Sequence, residues 1–200
     1  MASGRKIRES KTETSRRSTR EAHDSRLSKR TVQETSGSER SSLTERDMRL
    51  GRVTWFKNVD TQSDFGLVIF KELFKQFPDV ESYFFHLRGN SKDIFDSRAF
   101  RSHMTERVVP KLKEIFEALD RPEELHDIMT KLGLYHAKMR VPQHLIRNMV
   151  GVIVDSLKSV MAHKMQPDEE LALKNCLQAA FAITLETIDK YEKKNPVMDF

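Results

Sequence analysis

Phe70-Lys71-Glu72-Leu73-Phe74-Lys75-Gln76-Phe77-Pro78-Asp79-Val80-Glu81-Ser82-Tyr83-Phe84 is the stretch from which the fold can be worked outward. Phe70, Leu73, Phe74 and Phe77 recur three and four residues apart, so a helix carries them as one aromatic stripe. Phe65 and Ile69 extend the stripe back to Ser63-Asp64, residue types that favour a helix start. Pro78 cannot continue that helix, but it suits the first turn of a short one through Tyr83-Phe84-Phe85.

On the N-terminal side, Thr44-Glu45-Arg46-Asp47 has the form of an N-cap followed by an acidic third helical residue, and Met48, Arg52, Trp55 and Val59 follow at helical spacing. On the C-terminal side, Arg88 to Ser97 reads as a loop, and a long helical stretch runs from about Arg98 to Leu119. Asp120-Arg121-Pro122 restarts a helix carrying Leu125, Ile128, Met129 and Leu132. Pro142 opens another with Leu145, Met149, Ile153 and Leu157, and Pro167 opens the last with Leu173, Leu177, Phe181 and Ile188. No segment shows period-two alternation with hairpin turns. Residues 43–194 therefore read as one all-α domain of seven to eight helices of unequal length, long enough for a single substantial core.

The flanks differ in kind. Residues 1–42 hold 11 Lys or Arg against 6 Asp or Glu, which is the whole net charge of +5, and fifteen Ser or Thr with no aromatic residue. Such a segment cannot offset its ordering entropy by burial, so it is expected to be a disordered basic extension, with residues 195–200 a C-terminal tail. Its basic runs can attract acidic surfaces, but interspersed carboxylates point to a solvated tail and to no specific nucleic acid. No apolar run reaches the length of a membrane span, and the N-terminus lacks a secretory pattern. The single cysteine, Cys176, excludes an internal disulfide and a cysteine-based zinc site, and it fits a reducing, cytoplasmic setting. A P-loop, a dinucleotide fingerprint, a nucleophile elbow and a paired acid motif are all missing, so the sequence offers no enzyme active site.

The order and spacing of several motifs resemble the globin family over roughly Thr44 to Lys193. Phe70-x-x-x-Phe74-x-x-Phe77-Pro78-x-x-x-x-Tyr83-Phe84 is similar to the family's B helix, C helix and CD corner. Ser97-x-x-Phe100-x-x-His103 resembles the entry to the distal helix of neuroglobins. Leu132-Gly133-Leu134-Tyr135-His136-x-x-x-x-Val141 resembles the proximal helix and the corner after it, with a His-to-Val distance of five that is closest to neuroglobin-like and nematode-type globins. The resemblance implies a globin fold around a haem pocket, with iron reversibly binding oxygen or another diatomic gas for transport, sensing or redox signalling. It implies His136 as proximal iron ligand, and Phe70, Phe84, Val108, Leu132 and Val141 as pocket walls. A homodimer is compatible with it.

The residues give His136 a separate reading. It follows Leu125, Ile128, Met129 and Leu132 on one helical face, so its imidazole is expected to point inward. The carbonyl of Leu132, four residues earlier, is placed to hold its other ring nitrogen. A structural histidine in a haem-free helical interaction or sensor module is the alternative reading. His86, His126, His144 and His163 fall in loops or on mixed faces and form no metal-like spacing.

The distal helix departs from the family pattern. Counted from Phe100, the ligand-facing residue is His103, which sets Arg107 where an apolar residue is expected. Counted back from Arg107-Val108-Val109 and Leu112, the apolar residue is Val108 and the ligand-facing position falls on Met104. Pro110 lies in the same helix and cannot donate to the carbonyl of Glu106. A one-residue surplus beside a proline is what a π-bulge absorbs, and such a bulge lets both His103 and Val108 face the pocket.

Overall fold

The computed structural model describes residues 43–59, 62 and 64–196. The expectations for the extension 1–42 and for residues 197–200 lie outside the described residues. Within them the chain is all-α, with no strand. Helices α1 (Glu45–Val59) and α2 (Phe65–Gln76) are followed by a 3-10 segment (Pro78–Phe84), a single turn α3 (Phe85–Arg88) and a 3-10 turn (Ile94–Asp96). Then come α4 (Arg98–His103), a π turn (Met104–Val108), α5 (Val109–Glu117), α6 (Pro122–Lys138), α7 (Gln143–Val160) and α8 (Pro167–Lys194).

The helix starts use local chemistry. The Asp47 amide donates to Thr44 Oγ1 at 3.1 Å while the Thr44 hydroxyl donates to the Asp47 carboxylate at 2.6 Å, so α1 opens on a reciprocal cap with aspartate at the third position. That hydroxyl, more than any other group, holds the Asp47 carboxyl below its ordinary pKa. At α8 the capping box pairs Gln166 with Glu169, and Pro167 takes the first turn. Ser97 accepts from the Phe100 amide to start α4, and its hydroxyl donates to the Leu87 carbonyl.

The segment read as a loop from Arg88 to Ser97 is more ordered than its composition suggested. The Arg88 side chain donates to the Ser91 and Lys92 carbonyls, and Asp93 caps the 3-10 turn that buries Ile94. The short helix expected after Pro78 is a 3-10 helix that passes into α3. Arg52 also differs from its neighbours in the α1 stripe. Its guanidinium donates to the Phe116 carbonyl at 3.0 Å and to Asp120 at 2.7 Å, closing the C-terminus of α5.

The core is built where the aromatic stripes meet. Trp55 is fully buried, stacked on Phe116 with centroids 4.5 Å apart and edge-on to Phe65 at 5.6 Å. Phe70, Phe74, Phe84, Phe95 and Phe100 form a second cluster with mostly edge-to-face contacts, the geometry that ring quadrupoles favour. Helix α8 packs against α6, α1 and α7, while α2 crosses α7 and the π turn. Two glycines permit the closest approaches of one element to the backbone of another. A Cβ on Gly66 would lie 2.7 Å from the Met104 carbonyl oxygen, and one on Gly133 would lie 2.9 Å from the Thr184 carbonyl oxygen.

Candidate functional site: a cavity between two histidines

A cavity of about 420 Å³ opens between α2, the segment through Phe84, the α4–π–α5 rod, α6, α7 and α8. That size falls in the range of small-molecule and cofactor sites. Its floor and back are apolar, including Phe70, Phe84, Leu112, Leu145, Ile153 and Phe181.

One wall belongs to α6 and the corner after it. Ile128, Leu132, His136 and Val141 line the cavity. Leu125 and Met129, read from sequence as part of the same stripe, are buried elsewhere. The helix is covered on two sides: Ile128, Leu132 and His136 face the cavity, while Gly133 and the Met129 carbonyl, which accepts from Thr184 Oγ1 at 3.1 Å, meet α8. The inward half of α6 is therefore two faces, which the 3.6-residue period alone does not separate.

The His136 ring is fixed by its own helix. Nδ1 lies 2.9 Å from the Leu132 carbonyl oxygen, so Nδ1–H is the donor and Nε2 is left with its lone pair. Burial pushes the pKa of His136 down and outweighs the opposing effect of the Leu132 carbonyl, so the ring is neutral at physiological pH. Its backbone is held as well. The Val141 amide donates to the His136 carbonyl and the Arg140 amide to that of Ala137, both at 3.0 Å. With Met139 as C-cap, this is a Schellman closure in which Arg140, at φ +54°, occupies the left-handed position usually given to glycine. The five-residue step from His136 to Val141 is thus the span of the closure.

The opposite wall comes from the distal rod, and its hydrogen-bond register shifts where sequence and proline disagree. Residues Met104–Val108 form a π turn, with the Val109 amide donating to the Met104 carbonyl five residues back. His103 and Val108 both line the cavity. Met104, the alternative ligand-facing residue, does not: its side chain is wholly buried and its backbone and Cβ crowd Gly66 of α2. His103 is half-buried, and its pKa is lowered by burial first and by the charges of Arg107 and His86 after that.

Several lining residues were not singled out as site residues by the sequence reading. His86, assigned there to a loop or mixed face, sits on α3 and reaches the cavity wall. Arg107, Lys111 and Lys131 supply cations, and no Asp or Glu lines the cavity. Arg107 and Lys111 carried a usable signal, at four and eight residues from His103 on one helix. His126, His144 and His163 are exposed and lie outside the lining. Among the described residues no cluster of three or more His, Cys, Asp or Glu could hold a metal ion by itself, so any metal here would need a second source of ligands.

Helices cross around an apolar cavity with His86, His103 and His136 in its walls, and sequence comparison gives the family. The Globin family model matches residues 67–184, and the chain belongs to the globin family. It is similar to cytoglobin-2 of Danio rerio, 25% identical over 153 residues that cover 74% of this chain and 85% of the relative. It is similar also to cytoglobin-1 of Oryzias latipes, 25% identical over 138 residues covering 68% of this chain and 77% of the relative. No helix among the described residues is long and apolar enough to cross a membrane.

Proposed function

We propose that this globin binds haem in the cavity, with His136 as the protein's ligand to iron and His103 on the opposite side. The observation that carries the reading is the bond from His136 Nδ1 to the Leu132 carbonyl, 2.9 Å, which fixes the tautomer and frees Nε2 to donate. The wall chemistry fits the group: an apolar interior for the porphyrin, no carboxylate in the lining, and the cationic side chains Arg107, Lys111 and Lys131 in it to attract the group's two carboxylates.

Bound haem supplies an iron at which oxygen or another diatomic gas is held reversibly. The chain's own part is to present a neutral imidazole from one side and to keep water out. Phe70, Phe84, Val108, Leu132 and Val141 would provide apolar surface, and His103, in the same lining, would donate a hydrogen bond to a bound ligand or serve as a second protein ligand to the iron. The function is gas carriage or sensing, with haem-based redox signalling as a variant of it and no separate catalytic apparatus. Cys176, buried and the chain's single thiol, is in keeping with a reducing, cytoplasmic location.

Absorption spectra of the purified protein, before and after reconstitution with haem, test the reading. The expected result is stoichiometric haem uptake with a Soret band that shifts reversibly on exposure of the ferrous protein to oxygen. A folded helical protein that takes up no haem would instead be an interaction or sensor module.

A further inference from the structure

The outer side of α1 is cationic and carries an exposed aliphatic residue. Arg46, Arg49, Val53 and Lys57 recur three and four residues apart, so they share one face of the helix, opposite the buried Gly51, Trp55 and Val59. Val53 is 56% exposed at the centre of that face. Leu171 of α8, 58% exposed, stands one turn after Asp168, which pairs with Arg46 at 3.3 Å, and so borders the same face. Arg49 and Lys57 have no acidic partner among the described residues. Lys113 of α5 adds a cation beside them, 5.9 Å from the centroid of the Phe56 ring. The acids of α1 are Glu45 in the first turn and Asp47, which is tied into the cap with Thr44. Beyond residue 42 basic and acidic side chains balance, so the cations of α1 are a local excess. None of these residues lines the cavity.

We propose that this face of α1 docks the protein reversibly on an anionic lipid surface. Arg46, Arg49, Lys57 and Lys113 meet the headgroup charge, and Val53 and Leu171 enter the boundary between headgroups and acyl chains. Screening confines the attraction to charges within about 8–10 Å of the surface, which favours cations gathered on one helix face over the same number spread around the domain. Two weak signals are needed for a stable hold, and residues 1–42, which lead directly into α1, bring the second as a net charge of +5. Other occupants fit less well. A nucleic acid would use exposed rings for stacking, and Phe56, the aromatic side chain on this side of α1, is half-buried beneath Lys113, while Val53 and Leu171 offer nothing to phosphates. A second copy set face to face would oppose like charges.

The test uses the full-length protein and co-sedimentation with vesicles of phosphatidylcholine alone or with about 30% phosphatidylserine. Wild type should bind the phosphatidylserine vesicles, lose them as salt is raised, and leave phosphatidylcholine vesicles unbound. Arg49→Gln with Lys57→Gln should lower the partition coefficient by about tenfold or more, while Lys92→Gln with Lys138→Gln, the same change in net charge on exposed residues outside α1, should stay within about twofold. A second measurement locates the contact. Val53→Cys labelled with an environment-sensitive dye should shift to the blue on phosphatidylserine vesicles, and labelled Lys138→Cys should not, the native thiol being buried. Equal losses in the two double variants would overturn the proposal, because net charge alone would then account for binding. So would a wild-type protein that binds neither vesicle, a dye at position 53 that stays in water, or tighter binding of an oligonucleotide than of vesicles at the same salt.

Discussion

The amide of Val141 donates to the carbonyl of His136 at 3.0 Å, so the residue that presents the imidazole and the residue that walls the cavity beside it are joined through the backbone. The bond belongs to a helix closure whose left-handed position is filled by Arg140 rather than glycine. The ring of His136 donates to the Leu132 carbonyl, and its own carbonyl accepts from Val141.

Arg140→Gly should therefore stabilise the protein. A non-glycine residue in the left-handed region costs about 1–2 kcal/mol, and the added unfolded-state freedom of glycine takes back part of that. The expected net gain is about 0.5–1 kcal/mol, read as a raised midpoint in urea unfolding of the haem-free protein. A lowered midpoint would mean that the Arg140 side chain contributes more than its backbone conformation costs.

Gly66→Ala should destabilise. The new methyl would meet the Met104 carbonyl oxygen at 2.7 Å, a backbone atom of the π turn that cannot rotate away. Overpacking of this kind typically costs about 1–3 kcal/mol. Urea unfolding measures it, and a loss below a few tenths of a kcal/mol would show that α2 and the distal rod can slide apart freely.

Deleting Glu106 tests the surplus residue in the distal rod. Without it, His103 and Val108 stand four apart, the spacing that stacks them on one face of a plain α-helix. Thermal unfolding should show a change equivalent to no more than about 1 kcal/mol, small among single-site changes. Deleting Glu114 from the regular α5 rotates everything beyond it by about 100° and should unfold the domain. Equal damage from the two deletions would contradict the role given to the π turn.

How far the sequence could be read depended on whether a feature was local. Trp55, the Phe70–Phe77 stripe and the prolines at 78, 122, 142 and 167 mark helices by spacing and backbone chemistry alone, and the elements stand where they place them. The π turn was legible because two register counts differed by one residue beside Pro110. The division of α6 into a cavity face and an α8 face was not, since Leu125 and Leu132 are equally apolar and their separation is tertiary. Nor was the position of His86, which depends on how α3 is carried by the 3-10 segment before it. The left-handed Arg140 left no trace in composition, because the residue type gives no hint of the conformation it is forced to adopt.

Cys176 should be inert in the native protein. Burial pushes its thiol up to about 12, while in the unfolded chain the group ionises near 9. Above pH 9 the unfolded state binds fewer protons than the folded one, so this thiol's contribution to stability is lost as pH rises from about 9 towards 12. At pH 8 iodoacetamide should modify the native protein far more slowly than the urea-unfolded chain, with mass spectrometry as the readout. Equal rates would show that the contact of Gly51 with Cys176 opens readily.

The central claim is that His136 holds the iron, and the absorption spectrum of reconstituted His136→Gly with and without added imidazole tests it most directly. The variant should remain helical, since most of the apolar burial does not involve this ring. It should bind haem weakly and without a normal ferric or ferrous spectrum, and free imidazole should restore both by filling the space left by the side chain. A His136→Gly protein that keeps the wild-type spectrum in the absence of imidazole would contradict the account.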